Sequence, residues 1–167
     1  GSSTVGKGRR EESLSGFWES KRVFVTGCTG LLGPWLTERL ILEGAHVVGL
    51  VRDQVPLSNF YLLGLDRQVT VVRGDVTDLM LLERTLNEYE IDTVFHLAAH
   101  FANQNSVEHP VEDHETNIVG TLKLMERSRQ GRVERFVFAS SSCVYGAQSG
   151  PMRESQAPGH LDTPYAV

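Results

Sequence analysis

Three glycines spaced three apart, Gly27, Gly30 and Gly33, separate an apolar run from a helical repeat, and this junction constrains the fold more than any other stretch. Before it stands Val23-Phe24-Val25, a short β-branched and aromatic run that reads as a strand. After it, Leu31, Leu32, Trp35, Leu36, Leu40 and Ile41 recur at helical spacing, and Gly44 offers a C-terminal stop. A strand that turns directly into a helix needs a backbone without side chains at the turn. Gly27 permits the sharp reversal, Gly30 lets another group approach the backbone, and Gly33 lets the helix pack close to the strand.

The same alternation continues along the chain. His46 to Val51 reads as a second strand and Val69 to Arg73 as a third. Asp78 is placed to cap a helix carrying Leu79, Leu82, Leu86 and Tyr89. Thr93 to Leu97 gives a fourth strand, a helix follows over about Val111 to Ser128 with Ile118, Leu122 and Met125 on one face, and Arg135 to Ala139 gives a fifth strand. Nearly continuous apolar strands alternating with helices predict an α/β fold, a doubly wound parallel sheet of the Rossmann type with helices on both faces. The domain is expected over residues 17–167, with Phe17 and Trp18 leaning on the edge of its core. Residues 1–16 are polar and rich in Gly and Ser and are expected to form a flexible tail. Gly146 to Val167 reads as loop with no capping element after it, so the expected domain is cut short before its substrate-binding part.

Charge and cysteine usage exclude several function classes. The 167 residues carry 16 Lys+Arg against 21 Asp+Glu, a net charge of -5, and a nucleic-acid or anionic-membrane binder would want a basic face. No apolar stretch has the length of a membrane span, and a cytoplasmic protein is expected. Cys28 and Cys143 fall in unrelated contexts, so neither a disulfide framework nor a metal site is expected.

The glycine turn also predicts a ligand. A helix that begins at such a turn offers free N–H groups and the positive end of its dipole to a pyrophosphate. An ordinary turn is the other reading, but the preceding strand and following amphipathic helix supply the context of a dinucleotide site. In such sites a carboxylate at the end of the second strand, about 20 residues on, binds the ribose hydroxyls of NAD. Here that end reads Leu50-Val51-Arg52-Asp53, with Val51 where the acid would stand. Arg52 can instead pair with the 2′-phosphate of NADP, which makes NADP the expected cofactor. Asp53, displaced by one position, would serve NAD as the alternative.

Six segments in register resemble the extended short-chain dehydrogenase/reductase family, the NAD-dependent epimerases and dehydratases. Thr26 to Gly33 is similar to its T-G-x-x-G-x-x-G fingerprint, and Gly74 to Asp78 to its third-strand motif, whose first Asp binds the adenine amino group. Phe95 to Ala99 resembles the fourth-strand segment that lies along the cofactor, and Asn117 to Thr121 the N-x-x-G-T helix. Ala139 to Gly146 is similar to the segment carrying the catalytic Ser, and Thr163-Pro164-Tyr165 to the start of Y-x-x-x-K. The resemblance implies cofactor contacts from Gly27, Thr29, Gly30, Leu31, Leu32 and Gly33, then from Asp75 and Val76, from Leu97, Ala98 and Ala99, and from Asn117. A local hydrogen bond without a part in the reaction is the other reading of Asn117. His96 reads as a packed strand residue, whereas His100 and the polar loop after it form a candidate wall for a sugar.

The implied chemistry is hydride transfer at a carbon of a nucleotide-linked sugar. Tyr165 would be the acid/base and Ser141 would hydrogen-bond the same oxygen. The partner lysine of the motif would fall at position 169, past Val167, so the 167 residues alone are expected to be inactive. Family dehydratases carry Glu where Cys143 stands, which favours 4-epimerisation or keto-sugar reduction over 4,6-dehydration. The segment around Cys143 also resembles that of GDP-fucose synthases, where the Cys is an acid/base. A small buried residue at a strand end is the alternative for Cys143. A dehydratase, a reductase of a non-sugar ketone and a non-catalytic dinucleotide-binding module remain as other readings. The helix after the fourth strand is a possible homodimer contact, as in many members of the family.

Overall fold

A computed structural model describes residues 16–100, 107–146, 150–159 and 165. The expected tail up to residue 15 and the polar loop 101–106 lie outside the described residues. Five parallel strands, β1 (Arg22–Thr26), β2 (His46–Val51), β3 (Thr70–Arg73), β4 (Thr93–His96) and β5 (Arg135–Phe138), form one sheet in the order β3-β2-β1-β4-β5. Between them run α1 (Gly33–Leu42), α2 (Asn59–Leu62), α3 (Leu79–Glu88), α4 (Pro110–His114) and α5 (Thr121–Gln130). The strand order is that of a doubly wound Rossmann sheet, whose chain reverses direction across the sheet between β1 and β4.

Alternation along each strand builds two cores. Phe24, Val48, Leu50 and Val94 pack on one face against Leu82 and Leu86 of α3 and Leu124 of α5. Val23, Val25, Val47 and Val51 pack on the other face with Leu40, Phe60 and Leu65. Within β2, Gly49 stands where a side chain would press on Cys28, its Cβ position being 3.0 Å from the Cys28 Sγ. Trp18 joins the second core and meets Phe17 edge-on at 4.9 Å.

Two elements differ from the sequence expectation. The buried face of α1 runs through Gly33, Pro34, Thr37 and Leu40, not through Leu31, Leu32 and Trp35, which are exposed. Leu31 and Leu32 precede the helix, in the turn, where periodicity carries no facial information, and Trp35 stands on the outer face of α1. The long helix expected after β4 is real but interrupted. A wide π-helical turn, Glu115–Gly120, joins α4 to α5. Such turns are rare and cluster at functional sites.

Candidate functional site

The turn after β1 is locked by backbone contacts. Gly27 has φ +71°, and a Cβ there would lie 2.7 Å from Ala98 N at the end of β4. A Cβ on Gly33 would lie 2.6 Å from the Cys28 Cα, so the helix can start beneath the turn only with glycine at that position. Gly30 donates its N–H to Gly27 O at 3.0 Å. No side chain caps the N-terminus of α1, and Pro34 occupies its first turn. Its first amides are therefore not consumed by the protein's own side chains.

One cleft opens at the carboxyl edge of the sheet, beside the strand-order reversal. The glycine turn contributes Gly27, Thr29 and Gly30, the end of β2 Arg52 and Asp53, and the end of β3 Asp75 and Val76. Leu97, Ala98 and Ala99, following β4, close the far side. Leu31, Leu32 and Gly33, grouped with the cofactor residues on sequence, do not line it. Leu31 is 90 % exposed, and Gly33 is buried beneath the turn.

The two acids and the arginine in this cleft are held differently. Thr77 donates both its N–H, at 2.8 Å, and its Oγ1–H, at 2.7 Å, to Asp75 Oδ1. Thr77 is itself fixed, since Lys123 Nζ donates to its carbonyl at 2.8 Å. Asp75 Oδ2 thus faces the cleft without these donors, 4.0 Å from Arg52 Nε. Arg52 Nε donates to Asp53 Oδ2 at 2.6 Å, so guanidinium and carboxylate form one exposed pair at the end of β2. The fit to a dinucleotide rests on the glycine cradle, which any Cβ would fill, and on the open acceptor of Asp75.

A second cleft adjoins the first and shares Ala98 and Ala99 with it. Asn117, Ser141 and Tyr165 line it, together with Asp113, Thr121 and Val144. Ser141 Oγ accepts the Cys143 N–H at 3.2 Å, capping a 3₁₀ turn over Ser142–Tyr145, and its own O–H is left to donate elsewhere. Cys143 is half-buried within that turn and lines neither cleft. Cys28 is buried, its thiol donates to Leu50 O at 3.3 Å, and burial pushes it up to about 12, so it is an inert packing residue.

Beneath the shared wall lies a polar network that the sequence did not reveal. His96 is fully buried, with Nδ1 2.7 Å from Thr26 Oγ1 and Nε2 2.8 Å from Thr121 Oγ1. Thr121 donates its hydroxyl to Asn117 O at 2.6 Å, and Thr26 Oγ1 accepts the Ala98 N–H at 3.1 Å. A neutral imidazole protonated at Nε2 satisfies every one of these groups. It donates to Thr121 and accepts at Nδ1 from Thr26. Burial agrees with this, pushing the His96 imidazole down to about 4. Among the described residues no cluster of His, Cys, Asp and Glu suits a metal ion, and no helix is long and apolar enough to cross a membrane.

Fold and clefts together define a Rossmann domain of the doubly wound type, with Ser141 and Tyr165 lining the second of two adjoining clefts. The profile of the NAD dependent epimerase/dehydratase family matches residues 23–167, and the chain belongs to that family. It is 38 % identical over 132 residues to a CDP-glucose 4,6-dehydratase of Salmonella typhimurium, a match covering 77 % of this chain and 36 % of that protein. It is 33 % identical over 151 residues to a UDP-glucose 4-epimerase of Neisseria gonorrhoeae, covering 87 % of this chain and 44 % of that protein. In structure it resembles an epimerase from Methanothermobacter thermautotrophicus, with TM-score 0.79, 42 % identity and coverage of 90 % of this chain and 45 % of the other. A UDP-glucose 4-epimerase of Thermus thermophilus solved with NAD superposes with TM-score 0.75 and 35 % identity, covering 87 % and 46 %. The chain spans less than half the length of each of these relatives.

Proposed function

We propose that the protein built on this chain is an NAD(P)-dependent enzyme of the cytoplasm that acts on a nucleotide-linked sugar by 4-epimerisation or keto-sugar reduction. The observation that carries this reading is the adjoining of the two clefts at Ala98 and Ala99. The glycine turn, Arg52 and Asp75 line one, and Ser141 and Tyr165 line the other. A bound nicotinamide would supply the hydride acceptor or donor. The chain's own residues do the rest. Gly27 and Gly30 let the pyrophosphate reach the backbone, and Asp75 Oδ2 accepts from the adenine amino group. Tyr165 holds or moves the proton of the sugar hydroxyl, and the Ser141 hydroxyl donates to the same oxygen.

The guanidinium of Arg52 in the cleft supports NADP, with NAD, the dinucleotide solved with the Thermus relative, as the second reading. The likeness to a CDP-glucose 4,6-dehydratase supports dehydration as a second reaction. Cys143 stands where family dehydratases carry an acid, and this favours the first. A homodimer contact through the helix after β4, where Leu122 and Met125 are exposed, is a possible oligomer, read by sedimentation. The deciding experiment is calorimetric titration with NADP(H) and NAD(H), on the wild type and on Arg52→Ala. NADP binding that weakens about tenfold or more in the variant supports the phosphate reader, one charge-assisted pair being worth roughly 1.5–3 kcal/mol. Binding of NAD alone, unaffected by the variant, moves the ribose contact to Asp53. Binding of neither refutes the reading.

A further inference from the structure

The second cleft holds a carboxylate that the proposed reaction does not use. Asp113, in α4, is only 2 % exposed and lines the cleft beside Asn117. Its Oδ1 accepts from Asn117 Nδ2 at 2.9 Å, across the first turn of the π-helical segment. Asn117 makes two more bonds, both to the backbone of one residue. Its Oδ1 accepts the His100 N–H at 2.8 Å and its Nδ2 donates to His100 O at 3.2 Å. The ring of His100 turns toward the same carboxylate, with a buried Nδ1 that lacks a hydrogen-bond partner and lies 3.7 Å from Asp113 Oδ1.

The His100 backbone fixes the sense of the Asn117 amide, because its N–H needs Oδ1 and its C=O needs the Nδ2 donor. A flipped amide would set N–H against N–H and oxygen against oxygen, losing both bonds. Asp113, four residues back along the helix, adds a third bond in the same sense, its Oδ1 accepting from Nδ2. The amide that grips the His100 backbone is thereby anchored to a buried side chain of α4. His100 directly follows Ala98 and Ala99, the wall common to both clefts.

We propose that Asp113 is a positioning residue. Its buried carboxylate anchors the Asn117 amide to α4, and through that amide it holds the backbone of His100 and the wall against which dinucleotide and sugar meet. This rests on the function proposed above, and the test is chosen so that the two fail separately. The leucine variant Asp113→Leu keeps the number and branching of side-chain heavy atoms and removes the acceptor. It leaves the Asn117 amide with its two His100 bonds, so no polar atom of Asn117 is orphaned. The Asp113→Asn variant keeps one acceptor oxygen and serves as the conservative rescue.

Two readouts are taken on the 167-residue chain. The first is hydrogen exchange at the His100 amide, which needs no ligand. In Asp113→Leu it is expected to exchange at least tenfold faster than in wild type, with the melting temperature within a few degrees of the wild-type value, and Asp113→Asn is expected to recover most of the protection. The second is the dissociation constant for the nicotinamide dinucleotide that the wild type binds, expected to rise several-fold in Asp113→Leu and to return toward the wild-type value in Asp113→Asn. Unchanged protection of the His100 amide in the leucine variant overturns the positioning role, as does faster exchange accompanied by a general loss of protection across the sheet. If the wild type binds no dinucleotide, the proposed function fails, and the exchange experiment still decides what Asp113 does.

Discussion

Gly33 and Gly64 are both glycines beside helices, and the structure separates what each would lose to a methyl group. At Gly33 the methyl would collide with the backbone of Gly27 and Cys28, which no rotamer change relieves. Gly33→Ala is expected to cost about 3 kcal/mol, the upper end for forcing atoms into a packed site. Gly64 has φ +65° but open space around it, so Gly64→Ala should cost only the left-handed backbone penalty of about 1 kcal/mol. Urea unfolding of the two variants side by side tests this ranking. His96 supplies a prediction of another kind. Its ring titrates near 4 in the fold against 6.5 for a free imidazole, so between these values the unfolded chain binds the extra proton. Stability therefore rises with pH across that window and is lost as pH falls through it. From pH 7 to pH 5 the loss from this group is about 2 kcal/mol. Unfolding free energies measured at both pH values should show it, and His96→Gln should flatten that part of the slope whatever its effect on absolute stability.

At the level of elements, much was legible because local and tertiary preferences agree. The period of two in β1 and β2 is also the partition between the two cores, so those strands could be read without knowing their neighbours. Asp78 was readable as a cap, and its side chain does accept the Leu81 N–H at 3.0 Å. Asp78→Ala should cost about 1 kcal/mol, measurable by thermal or urea unfolding, with α3 fraying at its first turn. What resisted reading depends on partners distant in sequence. Gly27 was expected to serve a turn, which it does, but its close approach to Ala98 at the end of β4 has no local signature. The threonine partners of His96 come from β1 and α5, two elements whose meeting only the sheet order decides. Asp113 stands among the acids Glu108, Glu112 and Glu115, and what sets it apart, its burial and its bond to the Asn117 that meets His100, depends on the fold. Leu31 and Leu32 continue the apolar pattern into the turn before α1, where both are exposed.

For the whole molecule, the candidate site is a property of the sheet order and not of any one segment. Glycine turn, Arg52, Asp75 and the Ala98–Ala99 wall come from four different strand ends that are neighbours only because β1 lies between β2 and β4. A ligand that bridges those ends binds the folded state and not the unfolded chain. Saturation at about 100 times the dissociation constant should therefore raise the unfolding free energy by about 2.7 kcal/mol. A thermal-shift series with increasing dinucleotide is the check. A melting temperature that stays flat through saturation would show that the ligand does not hold these strands together.

The strand order also carries a history of assembly. β1, β2 and β3 are sequential neighbours, each joined to the next through a helical connection, so this half of the sheet can form as the chain leaves the ribosome. β4 must travel back to β1, closing a loop of 70 residues between Arg22 and Asp92. Contacts at such separation form slowly, because the closure entropy is spent before they give any return. The Ala98–Ala99 wall arrives with β4, so the first cleft comes into being at that docking step, and the second only once β5 has brought Ser141 alongside. Until then a growing chain presents a glycine turn with nothing opposite it, and the first cleft is gained abruptly, as that loop closes.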